Sequence, residues 1–140
     1  MKQSPAHLKF KKYFKLRSNF YKLIEKNNFY PTKAFYALKS LESGNITYKQ
    51  IESVRITIRR TVKKKGDIYI KIFPYVSLTK KPLAMRMGKG KGNHYLWVSP
   101  IKKGQILFEL EGYKEYQIKL ALEKARHKLP IKVKVVKLVY

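Results

Sequence analysis

Residues 47–66 read TYKQIESVRITIRRTVKKKG, and their spacing gives the first fixed point of the fold. Thr47 followed three residues later by Gln50 matches a capping box, in which each side chain satisfies a free backbone donor of the other residue. Ile51, Val54, Ile58 and Val62 follow at spacings of 3, 4 and 4, which places one apolar stripe on a helix predicted from Thr47 to Lys65. Gly66 stands where a left-handed residue closes a helix. Arg55, Arg59 and Lys63 form a basic stripe beside the apolar one, with Arg60 nearby, and no acid follows Glu52 within the helix. Uncompensated charge of this kind predicts contact with phosphates rather than a merely solvated face.

Downstream, Asp67 to Phe73 alternates Ile68, Ile70 and Ile72 with Tyr69, Lys71 and Phe73, the pattern of a strand, and Pro74 ends it. Residues 75–84 are expected to be a connection leading into a Gly- and Lys-rich loop. His94 to Val98 and Gln105 to Glu111 read as two further strands, the second after a Lys103-Gly104 turn. A second helix is predicted from about Tyr113 to Lys128, with Tyr116, Leu120, Ala121 and Ala125 facing inward, and Pro130 breaks it. Ile131 to Tyr140 reads as a last strand with Val133 and Val135 on one face. Residues 18–46 give no clean period, and Phe35 to Leu41 fits a short strand or a short helix equally.

Strands without regular βαβ alternation, plus two main helices, predict an α+β fold with a mixed or antiparallel sheet. Residues 1–17 are assigned to a basic N-terminal arm, and residues 18–140 to a single compact domain carrying an extended loop over 80–93. A chain of 140 residues is long enough for one core and short for two.

Charge narrows the function. Lys plus Arg total 33 against 8 Asp plus Glu, a formal charge of +25, and self-repulsion on this scale points to a polyanion as partner. Hydrophobic residues make up 44% and aromatic residues 14%, enough apolar surface to offset chain entropy. With no Cys there is no disulfide framework, thiolate metal site or cysteine nucleophile. No run of about 18 apolar residues occurs, so no membrane insertion is expected, and no apolar stretch of the secretory kind follows Met1 to His7. His7, His94 and His127 are scattered without ligand spacing, Asp67 is the only Asp, and Glu109 and Glu111 read as structural. Neither an enzyme nor a cofactor is expected. The bias to Lys over Arg, with many Tyr, Phe, Asn and Ile, fits an AT-rich coding source.

Two basic segments remain. In the arm, Lys9, Lys11, Lys12 and Arg17 interleave with Phe10, Tyr13 and Phe14, a pattern suited to following phosphates and stacking rings. In the loop, Gly88, Gly90 and Gly92 alternate with Lys89 and Lys91, after Lys80, Lys81 and Arg86, and no acid lies between Asp67 and Glu109. The G-x-x-x-x-G-K-[ST] pattern of a nucleotide loop is absent. Flexible glycine joints among cations suit an irregular RNA backbone.

Several segments also resemble a known family. Ile46-Thr47-Tyr48-Lys49-Gln50-Ile51-Glu52-Ser53-Val54-Arg55 resembles the helix entry L-T-A-R-Q-I-E-A-A-R of the bacterial-type large-subunit ribosomal protein L-sixteen family. Lys81-Pro82-Leu83-Ala84-Met85-Arg86-Met87-Gly88-Lys89-Gly90-Lys91-Gly92 resembles its K-P-x-x-x-R-M-G-K-G-K-G. Ile72-Phe73-Pro74, Trp97-Val98, Gly104 with Leu107-Phe108-Glu109, and Lys128-Leu129-Pro130-Ile131-Lys132 match in order, so the resemblance spans about residues 7–135.

The resemblance implies an α+β ribosomal fold anchored on large-subunit rRNA near the base of the central protuberance. It implies a place beside the aminoacyl-site tRNA, with the 81–92 loop extending toward the functional core and the arm buried in rRNA. Arg86, Lys89, Lys91, Gly88, Gly90, Gly92, Lys80, Lys81, Arg55, Arg59, Arg60, Lys63, Lys9, Lys11, Lys12 and Arg17 are then the expected RNA-binding residues. Peptide transfer itself belongs to the RNA, and the protein is expected to act as a positioning scaffold.

The chain departs from the family where Leu41-Glu42-Ser43-Gly44-Asn45-Ile46-Thr47 replaces a G-x-G-R-L-T segment, and where residues 18–34 are bulky and aromatic instead of glycine-rich. rRNA contacts are not carried over to that region, whose apolar residues suit neighbouring ribosomal proteins. With the AT-rich bias, the expected setting is a mitochondrial matrix ribosome, with a plastid or bacterial cytoplasmic ribosome as alternatives. A free-standing basic nucleic-acid-binding protein is the rival reading.

Overall fold

The capping box forms as the spacing predicts. Thr47 Oγ1 accepts from the Gln50 backbone N–H at 3.3 Å, while Gln50 Oε1 accepts from the Thr47 N–H at 2.9 Å. The computed structural model describes residues 4–6, 8–14, 16, 18–63, 66–112 and 114–138. Its elements run α1 (Ser18–Lys22), β1 (Tyr36–Ser40), β2 (Gly44–Thr47), α2 (Tyr48–Thr61), β3 (Asp67–Ile70), β4 (Val76–Lys80), β5 (Asn93–Ile101), β6 (Ile106–Glu111), α3 (Glu115–Arg126) and β7 (Val133–Lys137). The result is one compact α+β body with two antiparallel sheets.

The larger sheet has the order β3-β6-β1-β7 and the smaller β2-β5-β4. In the larger sheet, Tyr36 lies opposite Leu110 and Leu38 opposite Phe108, with Ile68, Ile70 and Val135 in the same rows and Val133 opposite Ser40. That face receives Ile51, Val54 and Ile58 of α2 and Ile118, Ala121, Leu122 and Ala125 of α3, forming one core. Each fully buried Ile of α2 contributes about 2 kcal/mol by leaving water.

The opposite face is covered by irregular chain. Glu109 of β6 is fully buried and accepts from the backbone N–H groups of Thr32 (3.2 Å) and Lys33 (2.8 Å). Lys71 Nζ lies 3.6 Å from the same carboxylate and donates to Thr32 Oγ1 at 2.7 Å. Ile106 N–H donates to the Asn28 carbonyl at 2.8 Å, and Lys39 Nζ sits 3.0 Å from the centre of the Phe29 ring. Burial there holds the Lys39 ammonium pKa below the ordinary lysine value.

Several sequence expectations are corrected. Helix α2 ends at Thr61, with Val62 as C-cap and Lys63 as the left-handed residue directly after it (φ 46°); Gly66 is also left-handed (φ 80°) but stands too far on to close the helix. Beyond Val62 the chain offers only lysines, so further helix would bury nothing. Residues 76–80, expected as connection, form β4, whose Ser77 and Thr79 hide its alternation. Strand β5 continues past Val98 to Ile101. Pro100 is tolerated because β4 pairing stops at Val98, leaving only β2 alongside. In α3, Tyr116 is 74% exposed and Leu120 only partly buried, while Ile118 and Leu122 point inward with Ala121 and Ala125. The small alanines let α2 and α3 approach. Residues 36–40 resolve as strand, and β2 occupies a stretch that reads as turn in sequence.

Candidate nucleic-acid interface

Strands β4 and β5 form a hairpin whose last pair is Lys80 opposite Asn93, so residues 81–92 are its loop. No regular structure occurs there, and residues 82–91 are exposed. The glycines serve two distinct needs. A Cβ on Gly92 would fall 2.6 Å from the Lys80 carbonyl carbon, so the strands can close only over a residue without one. Gly88 and Gly90 stand in open space but adopt φ of 96° and 83°, with Lys89 between them at 56°. Lys81 Nζ donates to the Gly88 carbonyl and folds the loop back on itself. Arg86 and Lys89 are left exposed, as is Met87.

The arm joins this hairpin. Lys91 Nζ donates to the Tyr13 carbonyl, and the Tyr13 ring meets Trp97 edge-on at 6.4 Å. Lys9, Lys11 and Lys12 are exposed on the same stretch of chain, Lys9 lying 5.7 Å from the Phe10 ring centre. Arg17 lies outside the described residues. Two basic segments more than 60 residues apart in sequence are thus brought together, without an acid between Asp67 and Glu109 to neutralise them. Lys80 Nζ adds a further cation, 5.4 Å from the Tyr95 ring.

The helical stripe divides differently from its sequence pattern. Arg55 forks onto Glu52, with Nη2 to Oε1 at 2.6 Å, and this bond raises the arginine pKa and lowers that of the carboxyl. Arg59 Nη1 donates to the Gly66 carbonyl at 3.3 Å. Lys63 is exposed, and Arg60 faces a shallow groove of about 450 Å³ together with Lys49 and Lys128. Lys49 and Arg60 are three helical turns apart, so they share one face. That pairing was legible in the spacing; the contribution of Lys128, from beyond α3, was not.

One acid, Glu52, lies in the wall of that groove and is engaged by Arg55, and others are held elsewhere. Glu109 is spent inside the fold, and Glu111 is partly buried at the end of β6. Glu115 pairs with Lys119 (2.8 Å) and Lys137 (3.4 Å), and the Lys119 bond pulls its pKa down to about 2. His94 Nδ1 lies 2.7 Å from Ser77 Oγ, a polar pair within the smaller sheet. Among the described residues no three His, Asp or Glu side chains gather as a metal site, and no helix is long and apolar enough to cross a membrane.

The structure thus carries an exposed, glycine-jointed cationic loop that meets a basic arm on an α+β body, with the cations of both on irregular chain. Residues 5–136 match the ribosomal protein L16p/L10e family, and the chain belongs to that family. A relative from Buchnera aphidicola is 44% identical over 128 residues, 91% of each chain, and is named large ribosomal subunit protein uL16. Proteins of the same name from Listeria welshimeri and Leptospira biflexa are 50% and 48% identical over 102 residues, 73% of this chain and 71% and 74% of theirs.

Proposed function

We propose that this chain is a structural constituent of the large ribosomal subunit, holding large-subunit rRNA through its arm and its 81–92 loop beside the aminoacyl-site tRNA. Its role is structural and not enzymatic, as in the ribosomal family to which it belongs. The observation that carries the reading is the joining of two basic segments, Lys91 to Tyr13, at the base of a hairpin loop whose other cations have no acid partner among the described residues. Such a surface gains affinity by releasing counterions from phosphates, and its irregular backbone fits a folded RNA better than a uniform duplex. Lys49, Arg60 and Lys128 offer a second contact on α2. The Lys-rich, AT-biased composition supports a mitochondrial ribosome, with a plastid or bacterial ribosome as the alternatives.

Sedimentation of source extracts at low and high Mg²⁺ tests the assignment: the chain is expected to travel with large subunits in both. A chain found only in the ribosome-free fraction would instead be a free-standing nucleic-acid binder. Scrambling residues 85–92 at constant composition separates the same two readings. It should impair aminoacyl-site tRNA binding to large subunits, and would leave a charge-driven binder unaffected.

A further inference from the structure

Between the start of α2 and the middle of β5 lies a groove of about 360 Å³, which the arm touches only where the Tyr13 ring meets Trp97 edge-on. Its walls carry Tyr48, Tyr95, Trp97, His94 and Lys49. This concentration of rings follows from an irregularity in the sheet. Leu78 lies opposite Leu96, but Thr79 lies opposite His94, so the register slips by one and Tyr95 has no partner on β4. On a regular strand residues three apart point to opposite faces, and an extra residue restores them to the same one. His94 and Trp97 accordingly touch, ring centres 4.8 Å apart at 42°, and Tyr95 is turned out with 60% of its surface exposed.

Tyr95 is not an isolated exposed ring but shares one groove with Tyr48, His94 and Trp97, and the surroundings restrict what could stack there. Lys80 Nζ stands 5.4 Å from the Tyr95 ring, Lys49 is in the wall, and the chain from Ile68 to Phe108 holds no acid. Flat rings beside cations match a base and the phosphates that flank it. An intact duplex keeps its bases stacked on one another, so only an extruded or single-stranded base can enter. We propose that the bulge at Tyr95 builds a pocket for one unstacked RNA base, stacked on Tyr95 and Trp97, with Lys49 and Lys80 on its phosphates. The inference rests on the RNA-binding reading above and adds a base contact to what is otherwise a backbone-following surface.

Trp97 is the only tryptophan and reports on the pocket directly. The full-length protein is titrated at one salt concentration with a single-stranded oligoribonucleotide of about 12 nucleotides, its duplex, and an abasic strand of equal phosphate count. The base-bearing single strand is expected to quench Trp97, and the other two to leave it nearly unchanged. Tyr95→Ala should weaken binding of the base-bearing strand roughly 5- to 150-fold and leave the abasic strand unaffected, and Tyr95→Phe should restore binding. Equal quenching by the abasic strand or the duplex, or an equal loss for both single strands in Tyr95→Ala, overturns the pocket. The rings would then serve only to seat Tyr13. Co-sedimentation of the unaltered chain with large subunits, measured in parallel, shows separately whether the ribosomal reading stands.

Discussion

Residues 24–34 and residues 81–92 are both irregular chain, yet they are held in opposite ways. The first lies against a sheet face, hooked by a fully buried carboxylate and roofed with rings that a lysine caps. The second stands off the end of a hairpin, with cations exposed and glycines in left-handed conformations. Irregular backbone must satisfy its polar groups either by the protein or by something outside it. Residues 24–34 spend the Thr32 and Lys33 donors on Glu109 and bury Pro31 and Ala34. Residues 81–92 leave most of theirs exposed, which suits the RNA contact proposed for them.

The contrast breaks most visibly at Glu109. Glu109→Ala leaves two backbone donors and the Lys71 ammonium without their buried acceptor, and thermal unfolding should show a loss of about 3 kcal/mol. Glu109→Gln, which keeps one acceptor, should lose roughly half of that. A loss below about 1 kcal/mol for Glu109→Ala would mean that residues 24–34 are held by their rings alone. Next in size is the hairpin's closure. Gly92→Ala forces a Cβ against the Lys80 backbone and should cost about 2 kcal/mol, against about 1 kcal/mol for Gly88→Ala, where only φ is strained. The reverse order would show that the loop is rigid and its base is not.

Removing the loop's charge sharpens the comparison from the other side. The triple variant Arg86→Ala, Lys89→Ala, Lys91→Ala should melt within about 0.5 kcal/mol of the parent, because all three side chains are exposed and the Lys91 bond to the Tyr13 carbonyl holds only the arm. Its RNA affinity should lose salt dependence by about 2 to 3 units in the slope of log K against log salt. An unchanged slope would remove these residues from the phosphate contacts. The smallest effect concerns pH. Glu115 has a folded pKa of about 2, below its ordinary value of 4.5, so its contribution is present above 4.5 and is lost as pH falls through 2. Glu115→Gln should flatten the decline of the urea midpoint across that interval and leave neutral pH nearly unchanged. An identical acid limb in the variant would assign the decline to other carboxyls.

How far the sequence could be read follows the same divide. The α2 entry was legible because capping and a 3-4-4 stripe are local, and the loop was legible because alternate glycines among cations need no partner elsewhere to be recognised. Residues 28–34 were not legible, since Phe29 packs on a face made by β1 and β6 and follows no period of its own. Strand β1 was ambiguous for a related reason: Tyr36 to Ser40 is buried on both faces, as the central strand between β6 and β7, and a short apolar run of that kind looks the same as a piece of buried helix. The basic stripe read as Arg55, Arg59 and Lys63 loses its last member, since α2 ends at Thr61, and Glu52 and the Gly66 carbonyl engage the first two.

By itself the sequence determined the charge of +25, the position of α2, the cationic glycine loop, and with them the class of partner, because composition, caps and close-spaced patterns act through neighbours along the chain. Tertiary structure alone decided that Glu109, read in sequence only as structural, is an internal hook, that the arm meets the loop at Tyr13 and Lys91, and that a bulge turns Tyr95 outward beside Trp97. Each of these depends on pairing between segments tens of residues apart, where register and burial are set by which strands meet.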